Sequence, residues 1–313
     1  MDQVAAALET AVGTAGRTEL APAKINLALH VTGLRPDGYH AIETLVVFAD
    51  YADAVSLAPC AEGRMGLTLR GPFAAALADA PPADNLAIRA AIGLAAAAGG
   101  KKQSPMRIVL NKRIPVAAGL GGGSADAAAV LRLLNREWKL NLGEDKLAAI
   151  GRRLGADVPM CMASRPLIAT GIGEIIKPVD GMPAMPIVLA HPGVAVPTAS
   201  VFSRVGHAER SPLPEMPKGF RSLLDVIFWL RKARNDLEEP AAAESKHAGA
   251  AAKALRADPE CLFARMTGSG AAAFGIFTTM DAAERAAARL REAKRGWWVT
   301  PAMTGASNDR SSG

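Results

Sequence analysis

The chain has 313 residues, half of them hydrophobic and 21% charged, with 36 basic and 30 acidic residues for a formal net charge of +6. That length supports two medium hydrophobic cores, and the high apolar content excludes a disordered or fibrous protein. The basic residues are scattered rather than gathered in runs, which argues against nucleic-acid binding and suits a modest field that attracts anionic small molecules.

Residues 1–18 carry Asp2 and Glu9 but no basic segment ahead of their short alanine-rich stretch, so a flexible extension is expected rather than a secretory leader. Residues 23–31 alternate, with Ile25, Leu27, Leu29 and Val31 on one face and Lys24, Asn26, Ala28 and His30 on the other, the pattern of a half-buried strand. Gly33, Pro36, Asp37 and Gly38 supply turn chemistry before Tyr39 and His40. Further strands are expected at 44–48, 54–57, 67–70 and 106–111. Asp84 is an N-cap candidate for an alanine-rich helix that stops at Gly99 and Gly100. A second helix should begin near Ser124. Leu147, Ile150 and Leu154 recur at helical spacing, so a third should end just before Asp157.

The proline-rich stretch 178–186 reads as a domain connection. Beyond it come a buried strand at 187–190, an amphipathic helix at 223–234, and then a strand, helix and strand at 274–278, 282–293 and 297–299. Residues 303–313 are expected to be flexible. The longest alanine run lies between Arg89 and Lys101, too short for a membrane span. Cys60, Cys161 and Cys261 are far apart without metal-type spacing, so reduced thiols in the cytoplasm are expected, and no metal cluster.

The strongest local signal is Pro115-Val-Ala-Ala-Gly-Leu-Gly-Gly-Gly-Ser-Ala125, where a predicted strand ends at a proline and glycines lead into a helix. Glycines allow close backbone approach, and N–H groups at a helix start face an anion favoured by the dipole. A tight turn with close helix packing is the alternative. No lysine follows the last glycine as in a Walker A loop, and Ser124 stands where a dinucleotide fingerprint needs its third glycine. Ser124 can bond phosphate or cap the helix.

This segment resembles the central phosphate-binding motif of the GHMP kinases, a family named for galactokinase, homoserine, mevalonate and phosphomevalonate kinases. Ala21-Pro-Ala-Lys-Ile-Asn-Leu27 resembles the family's N-terminal motif, and Met266-Thr-Gly-Ser-Gly-Ala-Ala-Ala-Phe274 its C-terminal glycine-rich motif. Arg35-Pro-Asp-Gly-Tyr-His40, Leu154-Gly-Ala-Asp-Val-Pro159, His191-Pro-Gly193 and Pro197-Thr198 are similar to the members that act on a cytidine diphosphate polyol. The resemblance implies an α+β, two-domain fold with the active site in the cleft: 19–177 for ATP, 178–302 for substrate. It implies ATP and magnesium as cofactors and a small-molecule substrate, with neither nucleic acid nor membrane as partner, in a monomer or weak homodimer. Ala117, Ala118 and Ala125 depart from the residues some relatives carry, and 204–218 matches nothing.

Carried over residue by residue, the resemblance makes Asp157 the general base and Lys24 its partner at the attacked hydroxyl or the transferring phosphate. A turn-capping aspartate and a solvent-facing strand lysine are the alternatives. ATP would be held by Asn85, Lys112, Pro115, Ala118, Gly119, Leu120, Gly121, Gly122, Gly123, Ser124 and Ala125. Asn26, sharing the Lys24 face, would orient the hydroxyl. Tyr39 and Phe202 would stack on cytosine, His40 would read its edge and Thr198 would add a polar contact. Gly268 and Gly270 would close on substrate or phosphate. No metal ligand is assigned.

Overall fold

The computed structural model describes residues 18–60, 65–99, 103–206 and 210–305. The expectations for 1–17 and 306–313 lie outside the described residues. Two antiparallel strands, β1 (Thr18–Leu34) and β2 (His40–Pro59), form a long hairpin closed by the Pro-Asp-Gly turn, where Gly38 takes φ +84° and Arg35 N–H donates to Tyr39 O at 2.8 Å. The two short strands expected at 44–48 and 54–57 are one, because β1 pairs along its full length with β2 and absorbs the irregularities in bulges at 22/24, 26/28 and 31/33.

The hairpin joins β3 (Gly66–Arg70), β4 (Met106–Asn111), β5 (Leu167–Thr170) and β6 (Ile175–Pro178) in a sheet of order β3-β4-β2-β5-β6, with β1 on β2. Helices α1 (Leu86–Ala97), α2 (Gly122–Glu137), α3 (Glu144–Leu154) and α4 (Asp157–Ala163) accompany it. Alanines let α1 and α2 approach closely: Ala87, Ala90, Ala91, Ala127 and Ala128 are buried in the core they share with Val46, Phe48, Ile108 and Leu110. Asn85, not Asp84, caps α1, its Oδ1 accepting from Ala87 N–H at 2.9 Å. Asp84 is exposed and makes no such cap.

The chain crosses to a second sheet between Pro178 and Pro186. That sheet has the order β10-β7-β9-β8, from β7 (Pro186–His191), β8 (Phe263–Met266), β9 (Ala273–Ile276) and β10 (Trp298–Met303). Around it lie α5 (Thr198–Ser203), α6 (Leu223–Lys232), α7 (Glu238–Glu244), α8 (Ala250–Arg256) and α9 (Met280–Ala293). β10 extends through Met303 and Thr304 bridges Ala49, so order continues past the expected boundary at 302.

β1 is buried on both faces from Ala21 to Val31, which corrects the half-buried expectation. Ile25 and Leu27 enter the core that joins the two sheets, with Leu189, Phe274 and Leu230. On the other face Lys24, Asn26 and His30 lie beneath the glycine loop and the second sheet's connections. Each large apolar side chain buried at this junction contributes about 1.5–3 kcal/mol, enough to hold the two layers around the cleft.

Candidate active site

The cleft is a cavity of about 850 Å³, within the range of small-molecule sites. β1 delivers Lys24 and Asn26 to it by its period of two. Lys24 N–H donates to Leu120 O at 2.9 Å, fastening the strand beneath the glycine loop. Lys24 Nζ donates to Asp157 Oδ2 at 2.8 Å, with the ammonium's side chain 5% exposed and the carboxylate's 41%. Asp157 opens α4, a short helix that follows α3 where the sequence leads one to expect a stop, because Gly155 ends one helix and Pro159 fits the first turn of the next.

The glycine loop owes its shape to close approach. Gly119 has φ +80°, and a Cβ there would stand 2.7 Å from Thr267 O, while Ala272 N–H donates to Ala118 O at 3.0 Å. The two glycine-rich loops thus interlock across the cleft. Gly121 has φ +65° and a Cβ there would meet the Lys24 side chain at 3.1 Å. A Cβ at Gly122 would face inward at Ile114, 3.3 Å away, and at Lys112 Nζ, 3.4 Å away. Pro115, Ala118, Gly119, Gly121, Gly122 and Gly123 all line the cavity, with Ser124 and Asn85 beside them.

Three members of the expected set lie off the cavity wall. Leu120 and Ala125 are core residues, each 1% exposed, and the Leu120 carbonyl is taken by the Lys24 N–H. Gly270 backs its loop against Met266. Lys112 lines the cavity, yet its ammonium is sealed: Nζ donates to Asp53 Oδ2 and, at 2.7 Å, to Asp126 Oδ2. Asp53 Oδ1 in turn accepts from Ile114 N–H at 2.8 Å. Burial pushes the Asp126 carboxyl up to about 7, against the pull of the Lys112 ammonium. This Lys112 is a buttress between the exit of β4 and the start of α2.

At the other end of the cleft, Tyr39 is 62% exposed and shares the wall with His40 and Phe202, whose ring centroids are 5.6 Å apart at an interplanar angle of 34°. Thr198 Oγ1 and Ser269 Oγ are 2.9 Å apart, and Gly268 lines the wall beside them. Asn26 Nδ2 donates to Thr44 Oγ1 at 2.7 Å, and Asn26 N–H to Thr267 Oγ1 at 2.8 Å. Sequence reasoning missed Asp53, Asp126, Thr44, Thr267 and Ser269. Thr267 and Ser269 lay within the C-terminal glycine-rich motif without being singled out, and Asp126 left a signal as a lone charge on the buried face of an alanine helix.

A glycine-rich loop leading into a helix beside a lysine–carboxylate pair, in a cavity of small-molecule size, is the equipment of an ATP-dependent small-molecule kinase. The chain belongs to the GHMP kinase family: residues 85–165 match the GHMP kinases N terminal domain and residues 221–296 the GHMP kinases C terminal domain. It is 44% identical over 283 residues to the 4-diphosphocytidyl-2-C-methyl-D-erythritol kinase of Dinoroseobacter shibae, covering 90% of this chain and 93% of that protein. It is 47% identical over 283 residues to the enzyme of the same name from Cereibacter sphaeroides, covering 90% and 97%. Among solved structures it resembles a 4-(cytidine 5'-diphospho)-2C-methyl-D-erythritol kinase, with a TM-score of 0.74 at 35% identity, over 93% of this chain and all of that one. The fold is the α+β, two-domain GHMP kinase fold.

Proposed function

We propose that this chain transfers the γ-phosphoryl group of ATP to a polyol hydroxyl of 4-diphosphocytidyl-2-C-methyl-D-erythritol, a step on the non-mevalonate route to isoprenoid precursors. The observation that carries the reading is the agreement between relatives of that activity over nine tenths of the chain and a cavity holding both a lysine–carboxylate pair and an aromatic end. Residues 19–177 supply the nucleotide site and 178–302 complete the substrate site, to which Asn26, Tyr39 and His40 also contribute. Free cysteines at 60, 161 and 261 fit a reducing, cytoplasmic setting. Among the described residues no helix is long and apolar enough to cross a membrane.

In this reading the acceptor hydroxyl lies against Asp157, whose half-exposed carboxylate takes its proton as the oxygen attacks. Lys24, held to Asp157, steadies negative charge on the hydroxyl oxygen or the transferring group. Backbone N–H groups of the glycine loop and Ser124 at the start of α2 hold the phosphates. Tyr39 and Phe202 grip the pyrimidine, with His40 at its edge and Thr198 nearby. Asn85 stands by the nucleoside, while Lys112 acts through the loop it supports.

Magnesium arrives on ATP with most of its water, so one or two protein oxygens suffice for it. Among the described residues no group of three or more His, Cys, Asp and Glu could hold a metal by itself. Asp126 Oδ1, a buried carboxylate oxygen without a partner, fits the ion together with the Ser124 hydroxyl, both on residues of the cavity wall. Bound there, the ion would offset phosphate charge.

The test is ATP consumption measured against the cytidine diphosphate polyol, homoserine and mevalonate. Turnover confined to the first is expected, and preference for either of the others would overturn the substrate assignment.

A further inference from the structure

Thr44 lies in β2, is fully buried, and belongs to neither the glycine loop nor the lysine–carboxylate pair. Its hydroxyl donates to Ala28 O at 2.7 Å. A carbonyl can only accept, so the single hydroxyl proton is committed there. The Thr44 oxygen must therefore accept from whatever else it touches, and what it touches, at 2.7 Å, is the side-chain amide of Asn26. The atom on that side is fixed as Nδ2 by this chain of donors, not by a choice between two equivalent amide orientations.

The consequence falls on the other end of the amide. Asn26 Oδ1 is buried and has no hydrogen-bond partner, and Asn26 lines the cavity. The bulge between Asn26 and Ala28 displaces the pairing there, which leaves Ala28 O for Thr44 and turns Asn26 toward the cleft. Gly268 preserves the space: a Cβ at that position would stand 3.4 Å from Asn26 Oδ1. A buried acceptor left unpaired is costly, so the oxygen is built to meet a donor that comes with the ligand.

We infer that Thr44 is a positioning residue that locks the Asn26 amide with its oxygen toward the substrate, so that the enzyme requires a second hydroxyl, acting as donor, beside the one that is phosphorylated. The inference rests on the proposed kinase reading. The acceptor hydroxyl gives its proton to Asp157, and a neighbouring hydroxyl of the polyol gives its own to Asn26 Oδ1. A substrate with only the reacting hydroxyl leaves Oδ1 desolvated and unpaired.

The experiment uses the full chain, the cytidine diphosphate polyol, and analogues in which each non-reacting hydroxyl is replaced in turn by fluorine, which keeps size and cannot donate. With the unaltered enzyme, one analogue should lose about tenfold to a hundredfold in kcat/KM. In Thr44→Val the hydroxyl relay is gone and the amide can turn its Nδ2 toward the fluorine, so the penalty should shrink to about threefold or less. Thr44→Ser keeps the relay and should restore the full penalty. A general loss of stability would lower all rates together and leave these ratios alone. Equal ratios in Thr44→Val and Thr44→Ser overturn the inference, as does an unaltered enzyme that accepts every fluoro analogue. If Thr44→Val does not fold, Thr44→Ala, which also removes the hydroxyl, takes its place against Thr44→Ser, and equal ratios in that pair overturn the inference. Failure of the kinase reading looks different: the natural polyol itself would not be phosphorylated.

Discussion

Two lysines bracket the same glycine loop, with Gly121 packed on Lys24 and Gly122 on Lys112, and both ammonium groups touch carboxylates. Lys24 meets one carboxylate that is 41% exposed to the cleft, whereas Lys112 meets two whose side chains are 0% and 3% exposed. An ion pair open on one side can receive a substrate group between or beside its charges. One whose ammonium is closed on every side holds structure, and its value lies in the cost of breaking it, while the unpaired Asp126 Oδ1 is left on the cavity wall. On the proposed reading the contrast separates chemistry from architecture where residue type alone does not.

The largest effect should come from Asp157→Asn, which keeps the shape and removes the basic carboxylate. Turnover is expected to fall by about 10²–10⁴, with ATP affinity by calorimetry nearly unchanged. Near-normal turnover would reduce the open pair to architecture. Lys112→Met should act in the opposite manner. Removing the ammonium leaves Asp53 and Asp126 buried without their cation, and denaturant unfolding should show a loss of about 3–5 kcal/mol. If stability held and only the ATP Michaelis constant rose, Lys112 would be a nucleotide contact and the contrast between the two lysines would collapse.

The sequence carried the motifs but not their enclosure. Pro115 to Ser124 could be read as a candidate phosphate loop because glycine and proline constrain the backbone locally. Lys24 and Asn26 shared a face because a strand has a period of two. That the face is buried depends on Arg234, Asn235 and the 267–272 loop lying across it, contacts more than 200 residues distant in the chain. Long-range closure also explains Asp53, which reads as an ordinary strand polar residue until Lys112 and the Ile114 N–H are brought to it. The short elements α4, α5, α7, β5 and β6 were illegible for another reason: four to seven residues do not complete a periodic pattern.

A third buried base sharpens the comparison because no acid neutralises it. His191 is 5% exposed, its Nδ1 accepts from Gly193 N–H at 3.3 Å, and its Nε2 has no partner. Burial holds its pKa below the usual 6.5. In the window between that lowered value and 6.5 the unfolded chain binds more protons than the folded one, so stability rises with pH there and is lost as pH falls. Asp126, whose carboxyl burial pushes up to about 7, works in the opposite sense, so the His191 share is read in urea unfolding at pH 7.5 and 5.5 as the difference in acid response between the unaltered chain and His191→Leu. His191→Leu, of similar bulk and without the titrating ring, should reduce that acid loss. An unchanged acid loss would assign it to other groups, His30 first, whose pKa burial also lowers.

The smallest effect is expected at the far end of the loop that divides the two lysines. Ala117 holds φ +55°, a left-handed conformation in which a Cβ costs about 1–2 kcal/mol. Ala117→Gly removes that strain, but glycine also gives the unfolded chain more freedom to lose, about 0.4–1 kcal/mol. The two terms oppose each other and the net change should be a gain of no more than about 1 kcal/mol, read as a small upward shift of the unfolding midpoint. Ala117 lines the cavity, yet the loop's shape is fixed elsewhere, at Gly119 against Thr267 O and at Gly121 against Lys24. ATP affinity should therefore stay within about twofold of the original, since the phosphate-facing backbone is held at those two contacts. A marked loss of affinity with stability intact would show instead that the strained alanine, rather than the packed glycines, presets the loop for phosphate, and that the loop's two ends divide the labour as the two lysines do.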